Sequence, residues 1–388
     1  MKKKIAIVSS YYFPDNKATS NRIKSFAELI DNNFDVELVV FGKQPISDFP
    51  SLQYEVEYCP EVEFQKKNLI LRAFGEIKET LCLFIKVTKF KPDIVISSIP
   101  SPILLFMPLV FTRAMHVVDI RDVVWEYLKD LGISGRLGYF LIKLLAKFAF
   151  NKSSYILVTN SHEKKSIDKL TKTQIITVGN GISTEKYRSL IKSVSFTSTK
   201  SHQRLTLIYA GNIGYAQKLG ILVDLASSLK FINIRIVGRG NDRDRLINLS
   251  EKKALSNIAF IDQLNWDELL REYHKADIIF GQIGREFHCA IPSKIFESVL
   301  LGKQLIFAAP VGAASNVLSK FKNVHLIEPE NLKQLISVIS DIADSEEVPI
   351  HNARYNRALI EKEFIRENLV LPLYNILKNY CNTHRACK

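Results

Sequence analysis

The chain has 388 residues and a formal net charge of +13, with 47% hydrophobic and 24% charged residues. This length exceeds a single ordinary core and predicts two domains, and the ordinary composition excludes a disordered chain. The five cysteines are scattered, without a Cys-x-x-Cys pair or a Cys/His cluster. That pattern argues against a zinc site or a disulfide framework and favours a reducing cytoplasm.

The surplus of basic residues predicts an anionic partner, which could be nucleic acid, a phosphorylated substrate or an acidic membrane surface. No nucleic-acid-binding module accompanies the charge, so we do not expect nucleic acid as the partner. The first apolar run is too short for a signal peptide, and the stretches at 102–111 and 137–150 fall short of the ~20 residues that span a bilayer. We therefore expect a soluble or peripheral protein.

Six short runs rich in Val and Ile alternate with helix-like stretches in the first half of the chain: KIAIVSS, DVELVVF, DIVISSI, HVVDIR, YILVTN and QIITVGNG. Six more follow a polar, Ser/Thr-rich stretch: LTLIYAGN, IRIVGRG, IAFID, ADIIFGQ, KQLIFAAP and VHLIEP. This alternation is typical of parallel sheets covered by helices. It predicts an α/β protein with two Rossmann-like doubly wound domains, over 1–190 and 204–355, and a linker at 189–204. We expect helices at about 360–388 to pack back on the first domain.

Two carboxylates lie at the end of the predicted strand HVVDIR. Asp119, Arg121 and Asp122 lie at its end, a position where loops often carry chemistry. The carboxylates resemble a metal-binding pair, but one of them could equally cap the next helix, and nothing nearby supplies further ligands. We therefore predict no bound metal.

A basic stretch at 128–172 holds nine Lys or Arg residues against three Asp or Glu residues. Arg136, Lys143 and Lys147 punctuate its apolar helical run LGYFLIKLLAKFAF. A basic amphipathic helix can lie on an anionic membrane, and a core helix with one solvated basic face gives the same pattern. Both interpretations stay open.

Two strand ends in the second half carry glycines. Gly211 and Gly214 follow LTLIYA, and Gly238 and Gly240 follow IRIV. Glycines at such positions let a backbone approach a phosphate closely, although each loop could also be an ordinary tight turn.

The segment AIPSKIFESVLLGK predicts a helix that starts at Ser293. Lys294 then lies in the first turn, and Glu297 lies on the same face one turn later. A lysine beside a helix N-terminus suits a diphosphate, and a carboxylate can accept hydrogen bonds from ribose hydroxyls. A capped surface helix with a Lys–Glu pair gives the same pattern.

In their order along the chain, these segments resemble the group 1 (GT4-type) glycosyltransferases of the GT-B fold. The similar bacterial members build O-antigen, capsule or exopolysaccharide. The resemblance covers nearly the whole chain, and within the family the sequence is most similar to transferases of the N-acetyl-L-fucosamine type. The segments that carry it are YYFPDN, Asn21-Arg22, DIRD, TNSHEKK, VGNGI, YAGNIGYAQ, VGRGN, PSKIFE and LLGK.

The resemblance implies that two domains face each other across a cleft and that a sugar is transferred with retention of configuration. The sugar, an N-acetylated amino or deoxyamino sugar, would pass from a UDP-sugar to a polyprenyl-diphosphate-linked saccharide. No metal or organic cofactor is implied. With the basic stretch, the resemblance predicts a cytoplasmic protein, peripheral at an anionic membrane surface on the inner face of the plasma membrane.

Site residues carry over by position. The donor-binding set is Gly211, Asn212, Gly214, Lys218, Gly238, Leu264, Ser293, Lys294 and Glu297. The acceptor-side set is Asn21, Arg22, Arg121 and Asp122. Within these sets Lys294 would neutralise the departing diphosphate, Glu297 would hold the ribose, and Asp122 would serve as the second catalytic residue.

The sequence departs from the family pattern at three places. The family often has two glutamates separated by seven residues, and the first would fall at Cys289, which cannot serve as a carboxylate. The usual Arg/Lys pair is represented by Asn212 and Gln217, which leaves Lys218 as the adjacent cation. The first loop has Lys17-Ala18-Thr19 where a double glycine is common.

Two other functions stay open. A nucleotide-sugar epimerase of the same fold would bind the same donor, and conversion of a UDP-N-acetylhexosamine without an acceptor would reveal it. A non-catalytic nucleotide-sugar-binding protein would bind without turnover, and Cys289 favours that alternative.

Overall fold

The computed structural model describes residues 2–9, 18–43, 53–59, 69–99, 101–121, 123–128, 132–193, 204–345 and 350–383. The YYFPDN loop, Asp122 and residues 194–203 of the predicted linker lie outside these ranges. The chain forms two compact units, one of Met1–Asn180 with Arg366–Lys388 and one of Gly181–Ile365.

The first unit contains a seven-stranded parallel sheet in the order β3-β2-β1-β4-β5-β6-β7. Its strands are β1 (Lys3–Ser9), β2 (Val36–Lys43), β3 (Glu55–Cys59), β4 (Ile94–Ile99), β5 (Met115–Ile120), β6 (Tyr155–Val158) and β7 (Ile175–Thr177). Six of them are the predicted runs. Strand β3 is not among the predicted runs, because it is an edge strand whose glutamates alternate with apolar residues and charge is depleted in most strands.

Within the described residues, five helices of this unit precede the second unit. They are α1 (Ala18–Asn33), α2 (Leu69–Phe90), α3 (Met107–Val110), α4 (Gly132–Lys152) and α5 (Ser161–Asp168). The buried strands β4 and β5 have no exposed residue, as expected of a sheet covered on both faces. One buried cluster includes Phe41, Trp125 and Phe150, and the other includes Ile5 and Phe26.

The second unit contains a six-stranded parallel sheet in the order β10-β9-β8-β11-β12-β13. Its strands are β8 (Leu205–Ala210), β9 (Ile232–Val237), β10 (Ile258–Ile261), β11 (Ile278–Gln282), β12 (Gln304–Ala308) and β13 (Val324–Ile327). All six match predicted runs. The two doubly wound sheets confirm the predicted α/β fold class.

Eight helices accompany this second sheet within the described residues: α6 (Thr184–Ser193), α7 (Gly220–Ser228), α8 (Arg243–Lys252), α9 (Trp266–Lys275), α10 (Lys294–Leu300), α11 (Ala313–Leu318), α12 (Leu332–Asp344) and α13 (Ile350–Glu363). The unit begins at Gly181, ahead of the predicted linker, and α6 packs against α10. A capping box fixes the start of α9, where Asn265 Oδ1 accepts from the Glu268 amide at 2.9 Å.

The last two helices return to the first unit. They are α14 (Arg366–Leu369) and α15 (Leu371–Thr383), and both contact α1. Leu373, Ile376 and Leu377 of α15 are buried in the same cluster as Ile5 and Phe26. This segment therefore completes one face of the first sheet.

Strand order determines where a ligand can approach the second sheet. The chain runs outward from β8 to β10 on one side and from β11 to β13 on the other. Loops that leave the carboxyl ends of β8 and β11 therefore diverge, and ligands of doubly wound sheets bind at such a switch point.

Candidate active site

The predicted lysine lies at the switch point of the second sheet. Lys294 is the first residue of α10, and its Nζ donates to the carbonyl of Ala210, the last residue of β8, at 3.3 Å. The structure therefore brings Lys294 to the start of the Gly211–Gly214 loop. The helix itself has only seven residues. The positive charge at the start of α10 therefore comes from the Lys294 side chain more than from a helix dipole.

Ser293 does not cap α10 as the sequence predicts. Its backbone already has helical angles, with φ −61° and ψ −27°, and its side chain makes no capping hydrogen bond. An N-cap serine needs an extended backbone to turn its hydroxyl onto the first amides, and Ser293 lacks it.

The electrostatic environment of Lys294 is unusual for an exposed lysine. Its side chain reaches solvent, yet desolvation by the surrounding protein lowers its pKa below 10.5. The Glu297 carboxylate raises this pKa, and the Lys186 ammonium lowers it again. Lys294 is thus a cation that its protein surroundings stabilise incompletely.

The two glycine loops pack on each other. The Gly211 amide donates to Val237 O at 3.0 Å, and the Ile213 amide donates to Arg239 O at 2.8 Å. A Cβ on Gly238, where φ is +140°, would collide with the Gly211 carbonyl. These glycines therefore have a structural role, because they let two neighbouring strand ends pair backbone to backbone.

Side chains complete the first of these loops. Gln217 Oε1 accepts from the Gly214 amide at 3.2 Å and from Asn212 Nδ2 at 3.3 Å. The Tyr209 hydroxyl donates to the Asn212 carbonyl at 2.6 Å. The Gly214 amide is thus engaged within the protein, whereas the prediction had this loop lying directly under the phosphates.

Lys218 is held by two carboxylates. Its Nζ lies 3.1 Å from Glu330 Oε1 and 3.5 Å from Glu286 Oε2, and these partners outweigh desolvation and raise its pKa. Lys218 and Glu330 both have positive φ, 45° and 62°, which is unfavourable for residues with a Cβ. A diphosphate at Lys218 would compete with these carboxylates for the ammonium.

Gln282 stabilises this strained pair of loops. It is the last residue of β11 and is 3% exposed. Its Nε2 donates to the carbonyls of Gln217 and Lys218 at 2.9 and 2.8 Å, and its Oε1 accepts from the Glu330 amide at 3.1 Å. Gln282 is not among the predicted site residues, although a polar residue that ends an apolar strand is a recognisable signal.

The predicted ribose carboxylate has a protein partner. Glu297, with 12% of its side chain exposed, accepts from Lys186 Nζ at 2.7 Å. The same ammonium lies 4.4 Å from the ring centroid of Trp266. Lys186 belongs to α6, 111 residues before Glu297, and no local pattern in the sequence predicts this pair.

Two further predicted positions lie in or against the core of the second unit. Leu264 is half-buried and packs against the cluster that contains Phe296 and Val299. Cys289 is 2% exposed. A buried thiol at this place supplies neither the charge nor the hydrogen-bond acceptors of the glutamate that the family often has.

In the first unit, Arg22 is buried and pairs with the Asp119 carboxylate. Its Nε and Nη2 donate to the Asp119 carboxylate at 2.6–3.0 Å, and its Nη1 donates to Val178 O at 2.7 Å. Ser98 Oγ also donates to Asp119. The side chains of Arg22 and Asp119 are 3% and 0% exposed. Arg22 thus connects α1, β5 and the segment after β7. Because a guanidinium buried among these partners does not face solvent, Arg22 has this structural role in place of the predicted acceptor contact.

The other acceptor-side residues are less defined. Asn21 lies on α1 and Arg121 follows β5, both half-buried, and Asp122 lies outside the described residues.

Among the described residues, no three His, Cys, Asp or Glu side chains come together as a metal-binding group. None of the described helices has the length and apolar character to cross a membrane.

Known proteins resemble both the sequence and the fold. Residues 191–359 match the family model of the group 1 glycosyl transferases. The chain is 22% identical over 312 residues to WcaI of Escherichia coli (strain K12), a protein named for glycosyl transfer in colanic acid biosynthesis, and the match covers 75% of each chain.

Solved structures share the fold over nearly the whole chain. Sucrose-phosphate synthase from Thermosynechococcus elongatus has a TM-score of 0.76 at 12% identity, with 98% of this chain and 100% of that chain covered. WaaG, a glycosyltransferase involved in lipopolysaccharide biosynthesis, has a TM-score of 0.71 at 15% identity, with 96% and 99% covered. HepE of Anabaena, in complex with UDP and glucose, has a TM-score of 0.67 at 14% identity, with 97% and 100% covered. The chain therefore has the GT-B fold of these structures, its residues 191–359 match the group 1 glycosyl transferases, and together these findings support a glycosyltransferase.

Proposed function

We propose that the protein transfers an N-acetylated amino or deoxyamino sugar from a UDP-sugar to a polyprenyl-diphosphate-linked saccharide, with retention of configuration, in the synthesis of a bacterial surface polysaccharide. The observation that carries the donor part is the position of Lys294, whose ammonium lies 3.3 Å from the carboxyl end of β8 at the switch point of the second sheet. The UDP-bound neighbour HepE and the name of WcaI support a nucleotide-sugar donor and a polysaccharide product.

The proposed chemistry places the cation where negative charge develops. As the bond between the anomeric carbon and the β-phosphate oxygen breaks, charge accumulates on the departing UDP, and Lys294 stabilises it. The acceptor hydroxyl oxygen bonds to the anomeric carbon on the same face, and its proton passes to the departing phosphate. Glu297 binds the ribose hydroxyls, and Leu264 lies beside the base. Asp122 remains our candidate on the acceptor side. The reaction needs no metal ion in this proposal.

Calorimetry with UDP tests the donor site. We expect UDP to bind the wild-type protein in EDTA, and UDP at 100 times its Kd to add ~2.7 kcal/mol to the free energy of unfolding. For a unit of this size, that corresponds to roughly 5–10 °C in Tm. No shift with UDP or with any UDP-sugar would refute the donor assignment.

The variant Lys294→Ala tests the mechanism. We expect kcat/KM for transfer to fall about 10²-fold or more, because the variant loses the cation that faces the leaving group. The matched control is Lys333→Ala, which removes an exposed lysine from the first turn of α12 in the same unit. Wild-type turnover in Lys294→Ala would exclude this residue from the reaction.

The exposed face of α4 supports the membrane-bound acceptor. Five large apolar side chains on this helix are 43–63% exposed: Leu137, Phe140, Leu141, Leu144 and Phe148. Arg136 and Lys147 are exposed on the same helix, whereas Lys143 donates to the Tyr139 hydroxyl at 2.7 Å. A core helix with one solvated basic face would not leave these apolar residues in water, so the membrane interpretation is favoured.

The neighbouring helix α2 extends this exposed apolar face. It exposes Ile77, Leu81 and Ile85, which are one turn apart. Residues 102–106 pack against both α2 and α4. We propose that this face rests on an anionic lipid surface, where each nearby Lys or Arg contributes about 1 kcal/mol.

Vesicle sedimentation tests the membrane part separately. We expect binding to vesicles that contain phosphatidylglycerol, and we expect it to weaken with salt as the Debye length falls to ~8 Å. Arg136→Gln/Lys143→Gln/Lys147→Gln and Phe140→Ser/Phe148→Ser should each reduce binding without changing UDP affinity. The control is Val311→Ser, because Val311 is 93% exposed in the other unit. Equal sedimentation of all variants would refute the assignment of this face.

A further inference from the structure

We infer that Lys186 is a positioning residue of the donor site, which holds the Glu297 carboxylate in the orientation that accepts hydrogen bonds from the nucleotide ribose. This inference rests on the proposed function, since it takes Glu297 as the ribose ligand. Lys186 lies on α6, outside the segments that resemble the family.

The first step is the state of the carboxylate. Glu297 is 12% exposed, and Lys186 Nζ donates to its Oε1 at 2.7 Å. A largely buried carboxylate is costly unless it is paired and hydrogen-bonded. The ion pair occupies one position on Oε1 and leaves further acceptor positions, including both lone pairs of Oε2. Lys186 therefore fixes the direction of the carboxylate and leaves it capacity to bind two hydroxyls.

The second step is that Lys186 is itself held in place. Its ammonium lies 4.4 Å from the centroid of the Trp266 ring, which gives a cation–π contact. Trp266 is the first residue of α9 and lies within the Asn265–Glu268 capping box. On α6, the next residue, Tyr187, is buried in the same cluster as Phe296 of α10. Lys186 is therefore held at both ends, at its backbone by the packed helix α6 and at its ammonium by Trp266 of the capped helix α9.

The third step is geometric. Trp266 lies two positions after Leu264, the residue proposed to lie beside the base, and Glu297 lies three positions after Lys294, the residue proposed for the diphosphate. Lys186 contacts Trp266 and Glu297 together. It thus links the base-facing segment to the helix that carries the ribose and phosphate ligands, and its loss should change recognition of the ribose in particular.

The experiment compares UDP with 2′-deoxy-UDP by calorimetry on the full chain. A hydrogen bond to a charged group is worth roughly ten- to a hundredfold in affinity. We therefore expect the wild-type protein to bind UDP at least about tenfold more tightly than 2′-deoxy-UDP. In Lys186→Met this preference should fall below about threefold, with the affinity for 2′-deoxy-UDP changed by less than about threefold.

Three further variants separate positioning from other roles. Glu297→Gln should lose the preference as Lys186→Met does, and Lys186→Arg should keep it because the ion pair is retained. Lys192→Met, which removes an exposed lysine from the last turn of the same helix, should leave both affinities unchanged. A merely structural defect would lower both affinities together and would leave their ratio as it was.

The outcomes separate this inference from the proposed function. A wild-type protein that binds neither nucleotide overturns the proposed function and this inference with it. Equal wild-type affinities for the two nucleotides overturn the role of Glu297 at the 2′-hydroxyl, and the inference fails there. A wild-type preference that persists in Lys186→Met, or a loss of both affinities in parallel, overturns the positioning role alone.

Discussion

Removal of the Arg22 guanidinium should destabilise the first unit severely. Arg22→Met leaves the Asp119 carboxylate, which is 0% exposed, with Ser98 as its remaining partner among those described above. Removal of one member of a buried ion pair costs about 3–5 kcal/mol, and the Val178 carbonyl, which loses its donor, adds about 1 kcal/mol. We therefore expect the free energy of unfolding to fall by about 4–6 kcal/mol. For a unit of roughly 200 residues this corresponds to about 8 °C or more in Tm.

Tryptophan fluorescence can follow the first unit alone. The chain has two tryptophans, and Trp125 is buried in the first unit while Trp266 lies in the second. In a Trp266→Phe background, urea unfolding monitored by Trp125 reports on the unit that contains Arg22. This separation is needed because a two-domain chain need not unfold in one step.

A double variant distinguishes the cost of an orphaned charge from the value of the pair. Arg22→Met/Asp119→Leu should be more stable than Arg22→Met, because replacing both members of a buried pair by apolar groups is often neutral. The reasoning would be refuted if Arg22→Met unfolded within about 1 kcal/mol of the wild type. If that variant also lost transfer activity, Arg22 would be the acceptor contact that the sequence first suggested.

Three further predictions address the second unit. Gly240→Ala should lower the Tm of the second unit, because a Cβ would collide with the backbone carbonyl of Ile213. Gly220→Ala should raise its stability by about 0.4–1 kcal/mol, because the nearest atom to the new Cβ would be Arg245 Nη2 at 3.9 Å. The alkaline limb of the kcat/KM profile should lie below pH 10.5, because desolvation lowers the pKa of Lys294 and activity is lost when the ammonium deprotonates; the limb should be absent in Lys294→Arg. Transfer should be unchanged by EDTA, and a loss restored by Mg²⁺ or Mn²⁺ would contradict the metal-free proposal.

The strands were predictable because burial on both faces imposes continuous apolar runs. Every strand of the second sheet is one of the Val- and Ile-rich segments, and in the first sheet only β3 escaped. Strand β3 is an edge strand, and Glu55 and Glu57 occur within it. These charges disfavour pairing of the open sheet edge with another chain. The same charges interrupt the hydrophobic run by which the other strands were predicted.

The site was less predictable because one local pattern serves several purposes. Glycines at strand ends, such as Gly211 and Gly238, would suit a phosphate loop. Here they allow two backbones to pack together. Likewise, Arg22 belongs to one of the segments that resemble the family, but its side chain is buried. Sequence spacing identifies which residues lie near a site, and burial decides which of them can face a ligand.

The long-range ion pairs change what the net charge means. Lys186 pairs with Glu297 and Lys218 pairs with Glu286 and Glu330, across as many as 112 residues of sequence. The lysines around the proposed donor site therefore add little to the surplus of +13, since carboxylates compensate two of them locally. Arg136 and Lys147, in contrast, stand on a helix that also exposes five large apolar side chains. We therefore attribute more of the charge surplus to the proposed contact of the α4 face with an anionic surface than to the proposed diphosphate site, where Lys294 is the one lysine assigned to the leaving group.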